Sequence, residues 1–352
     1  MDDRLTWEQI CNQARNVLAP KCMVCPVCNG RSCAGKAPGP GGKGSGSTFM
    51  RNYDYLHNHV RLHMDVLGDP FTPDITTELL GKQLSLPVLA APIGMVALNL
   101  SDTLNEYSYA KAILEGMLQA GSLGITGGGP KDESFFEPLR ALKELDGRGI
   151  PSLKPWRQDL IFERLPLVKD AGADTFLIDI DSAGLPHAGM TVNPLERKGE
   201  AALAEIVQRT DMKFLVKGIM TPQAAIKAVR AGASGIVVSN HGGRVIDNGL
   251  STAEVLPVIR EAIGSAPLIL VDGGVRSGMD VFKMLALGAN AVLIGRPYSI
   301  AAFGGGSEGV FLYTEKIRTE LMDAMLMTGC ESVHDIDRSK IQFDIANTID
   351  QG

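Results

Sequence analysis

The sequence predicts a (β/α)8 barrel that carries an N-terminal helical extension rich in cysteine and glycine. From about residue 86 onward, short apolar and β-branched runs alternate with helical stretches. Most of these runs end in glycine, proline or polar residues, as strands buried on both faces do. The length of 352 residues suits one barrel with an extension. A doubly wound open sheet is the alternative, but no Gly-x-Gly-x-x-Gly follows the first predicted strand.

The pattern places the extension at residues 1–80 and the barrel at residues 81–352. In the extension, Trp7–Leu18 and Tyr53–Val66 have helical character. Residues 35–47 are too rich in glycine to build a core, so we expect a loop that is either flexible or held tightly. The predicted helices of the barrel include Ser108–Ala120, Pro222–Ala231, Thr252–Ile263 and Gly278–Leu287. The eight predicted strands are Leu86–Ala91, Leu123–Thr126, Pro151–Leu153, Thr175–Ile180, Lys213–Val216, Gly235–Val238, Leu268–Val271 and Ala291–Ile294.

Charge and hydropathy exclude several classes of partner. A net charge of −6 argues against nucleic acid or an anionic membrane surface as the main partner. No apolar run is long enough to span a bilayer. The first residues lack the basic head and apolar centre of a signal peptide, so we expect a cytoplasmic protein.

The most informative segment is residues 235–244, where an apolar run ends in a polar, glycine-rich turn that carries His241 and Arg244. A proton acceptor beside a fixed cation at the carboxyl end of a strand indicates a catalytic edge. Lys217 follows another predicted strand and so points to the same mouth of the barrel. The alternative is a surface turn with solvated side chains.

Two further turns indicate a phosphate site. Gly273, Gly274 and Arg276 follow the seventh predicted strand, and Gly295 and Arg296 follow the eighth. Glycines let backbone amides approach an anion, a helix N-terminus adds its dipole, and arginine adds full charge. In barrels, the ends of these two strands are the usual phosphate site. Tight-turn glycines with surface arginines are the alternative.

Taken together, these motifs resemble the FMN-dependent α-hydroxy acid oxidases and dehydrogenases, such as glycolate oxidase and lactate oxidase. The resemblance covers roughly residue 86 to the C-terminus. It is carried by residues 215–218, 239–244, 271–283, 288–289 and 294–297.

The resemblance implies FMN at the barrel mouth and assigns roles to individual residues. His241 matches the base, and Asp181 matches the carboxylate that stabilises the protonated histidine. Arg244 matches the arginine that grips the substrate carboxylate, and Lys217 matches the lysine beside flavin N1 and O2. The implied flavin contacts are Ala91, Pro92, Ile93, Thr126, Lys217, Ser239, Asp272, Gly273, Gly274, Arg276, Gly295 and Arg296.

The implied activity is oxidation of a 2-hydroxy acid to a 2-oxo acid, with two electrons passed to FMN and then to oxygen or a redox protein. Family members are often homo-oligomers. A flavin-dependent isomerase without net oxidation is one alternative. A flavin- or metal-binding regulatory protein without turnover is the other.

The substrate side of the site departs from the family. Its early substrate-binding tyrosine has no counterpart in the cysteine- and glycine-rich segment, and the loop at residues 183–190 is short. Lys154 stands where the family has a tyrosine at the end of the third strand. Lys154 is therefore either a second anchor for an anionic substrate or the structural partner of Asp179.

Four cysteines lie close together in the extension, in the pattern C-x2-C-x2-C-x4-C. This spacing resembles the ferredoxin run C-x2-C-x2-C-x3-C-P, although the last gap differs. An iron–sulfur cluster and a zinc ion are the two metal interpretations, and reduced thiols without metal are the alternative. A cluster near the flavin could carry electrons to a protein acceptor. The four candidate ligands are Cys22, Cys25, Cys28 and Cys33.

Overall fold

A computed structural model describes residues 5–129, 131–186, 188 and 193–343 of the chain. Seven strands in this part of the chain form one parallel sheet, in the spatial order β4-β10-β9-β8-β7-β6-β5. Three short strands precede the sheet and one follows it. In chain order the strands are β1 (Val60–Leu62), β2 (Thr77–Leu79), β3 (Lys82–Leu84), β4 (Val88–Ala90), β5 (Ser152–Leu153), β6 (Thr175–Asp179), β7 (Lys213–Ile219), β8 (Gly235–Val238), β9 (Ile269–Val271), β10 (Ala291–Ile294) and β11 (Ile341–Phe343).

The sheet closes into the predicted barrel through residues 123–126. On one side, the amide of Ile125 donates to the carbonyl of Ala90 at 3.0 Å. On the other side, the amide of Thr126 donates to the carbonyl of Ile150 at 2.9 Å. The second predicted strand is thus present as a pair of bridges that joins the two edges of the sheet. The (β/α)8 prediction is confirmed.

Helices follow most of the strands and surround the barrel. The predicted starts of α8, α9 and α10 agree with the structure, because a side chain from Thr221, Ser251 or Ser277 caps each helix. The helices are α1 (Trp7–Leu18), α2 (Ser47–Asn58), α3 (Val96–Asn99), α4 (Glu106–Gln119), α5 (Glu133–Lys143), α6 (Gln158–Asp170), α7 (Glu200–Gln208), α8 (Pro222–Arg230), α9 (Thr252–Ile263), α10 (Gly278–Ala286) and α11 (Arg296–Thr328, with a break at Gly306).

The extension packs on the barrel. Helix α1 contacts α11, and Trp7 lies against the ring of Tyr313 with centroids 4.8 Å apart. The second predicted helix is displaced: α2 begins at Ser47 and ends at Asn58, and β1 then pairs with β11 in antiparallel register. The prediction of Tyr53–Val66 was therefore wrong in its bounds, because the pairing of β1 with distant residues replaces helix after Asn58.

The core has two layers. Side chains inside the barrel, including Leu89, Leu177 and Leu293, form one cluster. The β2–β3 hairpin adds Leu79 and Leu84 to this cluster. A larger cluster joins the outer strand faces to the helices. Because both faces of the strands are buried, the carboxyl ends of the strands are left as the open rim.

No helix among the described residues is both long and apolar enough to cross a membrane. Part of the loop predicted at residues 183–190, including residues 187, 189 and 190, lies outside the described residues. The C-terminal end of the predicted barrel unit, residues 344–352, also lies outside them.

Candidate active site

A cleft of about 980 Å³ opens at the carboxyl ends of the barrel strands. Residues 91–95 after β4 form one wall, and the turns after β8, β9 and β10 form the opposite walls. Gly39 and Pro40 of the glycine-rich segment also line the cleft. Residues 39–40 therefore belong to the site, although they precede the barrel in sequence.

The turn after β8 has an uncommon backbone. His241 has φ 57°, and the two glycines that follow it also have positive φ. Gly243 is required here, because a Cβ at this position would lie 2.4 Å from the amide nitrogen of Phe49. The Asn240 and Asn52 side chains are buried and exchange two hydrogen bonds, of 2.8 and 2.9 Å. Helix α2 thus holds the histidine turn in place.

His241 lies between two carboxylates. Its Nδ1 is 3.0 Å from Oδ1 of Asp181, and its Nε2 is 3.9 Å from Oδ2 of Asp179. Burial acts to raise the pKa of Asp181, but His241 and Lys217 outweigh it and hold that pKa below the usual value. Asp181 therefore stays ionised next to the histidine. This arrangement stabilises a proton taken up by the imidazole.

Lys154 and Asp179 form a buried ion pair, with Nζ 2.6 Å from Oδ2 and side chains only 6% and 2% exposed. Lys154 also lines the cleft. The two interpretations of Lys154 are therefore compatible in space. The pairing with Asp179 is present, and the same residue lines the cleft.

Lys217 lies at the floor of the cleft, 3% exposed. Its Nζ donates to Oγ of Ser239 at 2.9 Å and lies 3.5 Å from Oδ2 of Asp272. Burial alone would lower the pKa of Lys217, but Asp272, Asp181 and Asp179 outweigh it and raise the pKa. Lys217 is therefore a permanent positive charge in a site with little solvent.

Arg244 is oriented by Asn99, whose Oδ1 accepts from Nη2 at 2.8 Å. Its Nε is buried without a hydrogen-bond partner. Burial lowers the pKa of Arg244 to about 10, so the guanidinium remains charged at neutral pH. A buried donor with no partner is costly, and a carboxylate in the cleft would satisfy it.

Two arginines make the other end of the cleft positive. Nε of Arg276 donates to the carbonyl of Cys28 at 3.0 Å, while its Nη2 is buried without a partner. Arg296 donates from Nη1 to the carbonyl of Pro40 at 2.8 Å. Burial and the neighbouring Arg276 lower the pKa of Arg296 to about 9. Two like charges held this close indicate a site for an anion.

These features fit FMN. The two arginines and the backbone of Gly273 and Gly274 form an anion-binding end that suits a phosphate. Oδ1 of Asp272, which lines the cleft, is a buried acceptor without a partner, and a hydroxyl of the ribityl chain would satisfy it. Lys217 supplies a further cation to the cleft. The cleft thus offers the anion-binding end, the hydroxyl acceptor and the cation that a phosphorylated flavin requires.

The structure brings nearly all of the predicted site residues together. Asp181 and Ser239 lie behind the cleft wall, where they contact His241 and Lys217 respectively. Thr126 is buried at the end of the closing segment. The predicted residues that line the cleft are Ala91, Pro92, Ile93, Lys154, Lys217, His241, Arg244, Asp272, Gly273, Gly274, Arg276, Gly295 and Arg296.

Several residues at the site were not predicted as functional. Asp179 is the last residue of β6, where an acidic side chain in an apolar run was the available signal. Asn99 comes from the short helix α3, and no local pattern points to it. Glu106 accepts from the amides of Met95 and Val96 at 3.1 and 2.7 Å and so fixes the wall after β4.

The four cysteines of the extension are all free and partly buried, and they line a second cavity next to the cleft. Among the described residues, the one group of three potential ligand atoms within 4.8 Å of one another is Asp179, Asp181 and His241. The cysteines are thus gathered around one cavity without forming a compact ligand set for a single ion. Metal binding by Cys22, Cys25, Cys28 and Cys33 stays a prediction.

Comparisons with known proteins identify related lactate and mandelate enzymes. The L-lactate oxidase of Lactobacillus jensenii is 30% identical over 320 residues, which are 83% of this chain and 77% of the relative. The L-lactate dehydrogenase of Caulobacter vibrioides (strain NA1000 / CB15N) is 30% identical, over 85% of this chain and 91% of the relative. A crystal structure of a mandelate oxidase variant with 2-hydroxy-phenylacetamide superposes with a TM-score of 0.78 at 26% identity, covering 98% of this chain and 100% of the other.

The family described as FMN-dependent dehydrogenase matches residues 39–128 and 195–343. These ranges contain the histidine turn, Lys217 and both arginine turns. They exclude Asp179, Asp181 and the four cysteines. On the strength of these matches, the chain belongs to the FMN-dependent dehydrogenase family.

Proposed function

We propose that this FMN-dependent oxidoreductase converts a 2-hydroxy acid to a 2-oxo acid, with His241 as the base and Arg244 as the carboxylate anchor. The observation that carries the proposal is the pairing of His241 with Asp181, 3.0 Å apart, at the rim that also holds Arg244 and Lys217. Base, anion anchor and permanent cation are the groups that this oxidation needs.

The substrate carboxylate is bound by Arg244. Asn99 orients the guanidinium, and the unpaired Nε is available for an oxygen atom of the ligand. Anchoring the carboxylate fixes the hydroxyl-bearing carbon near the imidazole.

The substrate loses its proton to His241. Because Nδ1 is bonded to Asp181, Nε2 is the nitrogen left to take the proton. Asp181 and Asp179 then stabilise the imidazolium, the first by a hydrogen bond and the second across 3.9 Å. FMN, when bound, supplies the acceptor for the two electrons. Lys217 holds a positive charge at the floor of the cleft, where it stabilises negative charge that develops during the reaction.

The nature of the substrate follows from Lys154. The named relatives are lactate enzymes, and both the buried Lys154 and Arg244 line this cleft. We expect a small 2-hydroxy acid, with a preference for one that has a second anionic group. The electron acceptor is oxygen or a redox protein, and a cytoplasmic homo-oligomer remains our expectation. An iron–sulfur cluster or a zinc ion at the cysteines is part of the proposal.

An anaerobic reduction experiment tests the proposal. Purified protein with FMN bound is mixed with glycolate, L-lactate, D-lactate, mandelate and malate, and the flavin absorbance is followed. We expect bleaching by at least one acid and formation of one 2-oxo acid per flavin.

The outcomes separate the proposal from its alternatives. Conversion of a substrate without net bleaching would favour an isomerase. Tightly bound FMN that none of the acids bleaches, although dithionite does, would favour a binding protein without turnover. The same experiment on His241→Ala assigns the base.

A further inference from the structure

We infer that Cys22, Cys25, Cys28 and Cys33 bind a four-iron iron–sulfur cluster, through which electrons leave the enzyme one at a time. The metal site rests on the cysteine cavity itself. The route of the electrons rests also on the proposed function.

The four thiols converge on one place in the fold. All four cysteines line one cavity between α1 and the start of α11, and none of them forms a disulfide. Cys11 and Cys330, the two remaining cysteines, do not line it. Four of the six cysteines in the sequence therefore gather at one cavity.

The cysteine segment lacks a core of its own. Residues 22–30 form neither helix nor strand, and the apolar side chains of Met23 and Val27 are 49% and 52% exposed. The segment is held by donors from elsewhere, such as Arg15 to the carbonyl of Val24 at 3.0 Å. The match to the FMN-dependent dehydrogenase family begins only at residue 39. A bound cluster would stabilise the fold of this segment in place of a hydrophobic core, as structural metals do in small cysteine-rich segments.

Two guanidinium groups lie beside the cysteines. Arg296 lines the cysteine cavity. Arg276 donates from Nε to the carbonyl of Cys28 at 3.0 Å. A cluster ligated by four thiolates is anionic, because thiolates rather than thiols are the ligands. The two guanidinium groups compensate that charge.

Spacing and geometry favour a cluster over zinc. Three cysteines separated by two residues each, with the fourth close behind, follow the ferredoxin pattern, whereas structural zinc sites usually use two distant pairs. Zinc–sulfur bonds of about 2.3 Å place tetrahedral thiolates roughly 3.8 Å apart. No three of these four described cysteines have sulfur atoms within 4.8 Å of one another. A four-iron cluster holds its thiolates farther apart than a zinc ion does, so it does not require three sulfur atoms this close together.

The position of the cysteine cavity next to the active site indicates that the cluster transfers electrons. Pro40, Leu100 and Arg296 line both the cysteine cavity and the cleft, so one layer of residues separates the two. Oxidation of one 2-hydroxy acid to the 2-oxo acid releases two electrons and two protons. Two successive one-electron reductions of the cluster, each followed by loss of the electron to a one-electron redox protein, remove both electrons. One proton leaves through His241 to solvent, and the other would be released when the reduced FMN is reoxidised.

The metal content of the full-length protein tests the site. The protein is produced and purified without oxygen, and iron, acid-labile sulfide, zinc and FMN are measured per chain. We expect about four irons and four sulfides per chain and an EPR signal after reduction with dithionite. Protein that contains stoichiometric FMN but no iron, or one zinc in place of iron, overturns the inference.

Variants tie the metal to these residues. Cys25→Ser and Cys28→Ser are expected to lose most of the iron, whereas the control Cys11→Ser keeps it. FMN content and circular dichroism show whether each variant is folded. If a variant does not fold, the cysteines of the wild type are alkylated instead, before and after removal of iron. The four cysteines should be protected from alkylation only in the iron-loaded protein. Iron that stays in both variants, or equal alkylation in both states, contradicts the assignment.

The electron route is tested separately by anaerobic mixing with a 2-hydroxy acid that bleaches the flavin. We expect the EPR signal of the reduced cluster to appear. Bleaching of the flavin without that signal contradicts the electron route but supports the proposed oxidation. If dithionite reduces the cluster but no 2-hydroxy acid reduces the protein, the metal site is supported and the proposed function is contradicted.

Discussion

At the scale of the residue, the site depends on charges that are held in place before a ligand arrives. His241 is placed by a turn of positive φ and by Asp181, and Arg244 is placed by Asn99. Lys217 keeps its charge because three carboxylates outweigh its burial. Such preorganisation costs stability at single positions and is typical of catalytic sites.

The role of His241 is the first prediction. His241→Ala should bind FMN as the wild type does, because the phosphate end of the cleft is untouched. The rate of flavin reduction by the substrate should fall by about 10²–10⁴-fold, the usual contribution of a general base. Anaerobic stopped-flow absorbance measures this rate. His334→Ala, which changes an exposed histidine, is the control. An unchanged rate in His241→Ala would show that the base lies elsewhere.

The Lys154–Asp179 pair gives the second prediction. Lys154→Met leaves the Asp179 carboxylate buried without its cation, so the free energy of unfolding should fall by about 3–5 kcal/mol. Lys154→Met combined with Asp179→Leu should recover much of that loss, because a buried pair is often replaced by apolar groups at little cost. Urea denaturation of the FMN-free proteins measures both. Equal stabilities of the single and the double variant would contradict the pairing.

At the scale of the element, the glycine-rich segment (residues 35–47) is held beside the cleft by hydrogen bonds to other loops. Lys43 donates from Nζ to the carbonyl of Gly184 at 2.7 Å. Asp247 accepts from the backbone of Ser45 at 2.6 Å and from the hydroxyl of Ser47 at 2.7 Å. These bonds fix residues 39–40 against the cleft and start α2 at Ser47. The bonds from the two serines hold the pKa of Asp247 below its usual value.

Loss of this anchor is the third prediction. Asp247→Ala should release residues 39–47, so FMN should dissociate faster and a protease should cut the segment sooner. Fluorescence of released FMN and limited proteolysis measure the two effects. Asp69→Ala, at an exposed position outside this network, is the matched control. Identical FMN release from both variants would mean that the segment is held without Asp247.

Local patterns predicted some elements better than others. Strands such as β8 and β10 agree with the prediction because a buried parallel strand is a continuous apolar run with a sharp polar end. The start of α2 was missed because its polar first turn, Ser47–Thr48, follows a glycine run and looks like loop. The pairing of β1 with β11 joins residues about 280 positions apart, and no local pattern encodes it.

The site residues that could be predicted are those that follow apolar runs. His241, Arg244 and Lys217 each do so, and barrel geometry then brings the strand ends together. Asp179 lies within such a run, and it was predicted only as the structural partner of Lys154, a contact that the register of β5 and β6 makes possible. Asn99 reaches the cleft from a segment outside the sheet, as the glycine-rich segment does. Their roles depend on three-dimensional packing that the sequence does not display.

At the scale of the whole molecule, stability in acid depends on carboxylates that tie distant parts together. Burial acts to raise the pKa of three such carboxyl groups, but their basic partners and nearby hydrogen bonds outweigh it and lower the pKa. Each group therefore stabilises the folded state above the usual pKa of an unfolded carboxyl, about 4. The contribution is lost as the pH falls from there through the lower pKa of the folded state. The three pairs are Asp181 with His241, Asp280 with His57, and Glu254 with Arg51.

The fourth prediction is that the urea midpoint of the wild type stays nearly constant from neutral pH to about pH 5 and then falls steeply. Glu254→Gln removes one titrating group and the bond to Arg51 that ties α2 to α9. This variant should be less stable at neutral pH, yet lose less stability on acidification, because the unfolded wild type takes up a proton at this position that the variant does not. Urea midpoints measured at several pH values test both parts. If the urea midpoints of wild type and variant fell in parallel as the pH is lowered, Glu254 would not contribute to the loss of stability in acid.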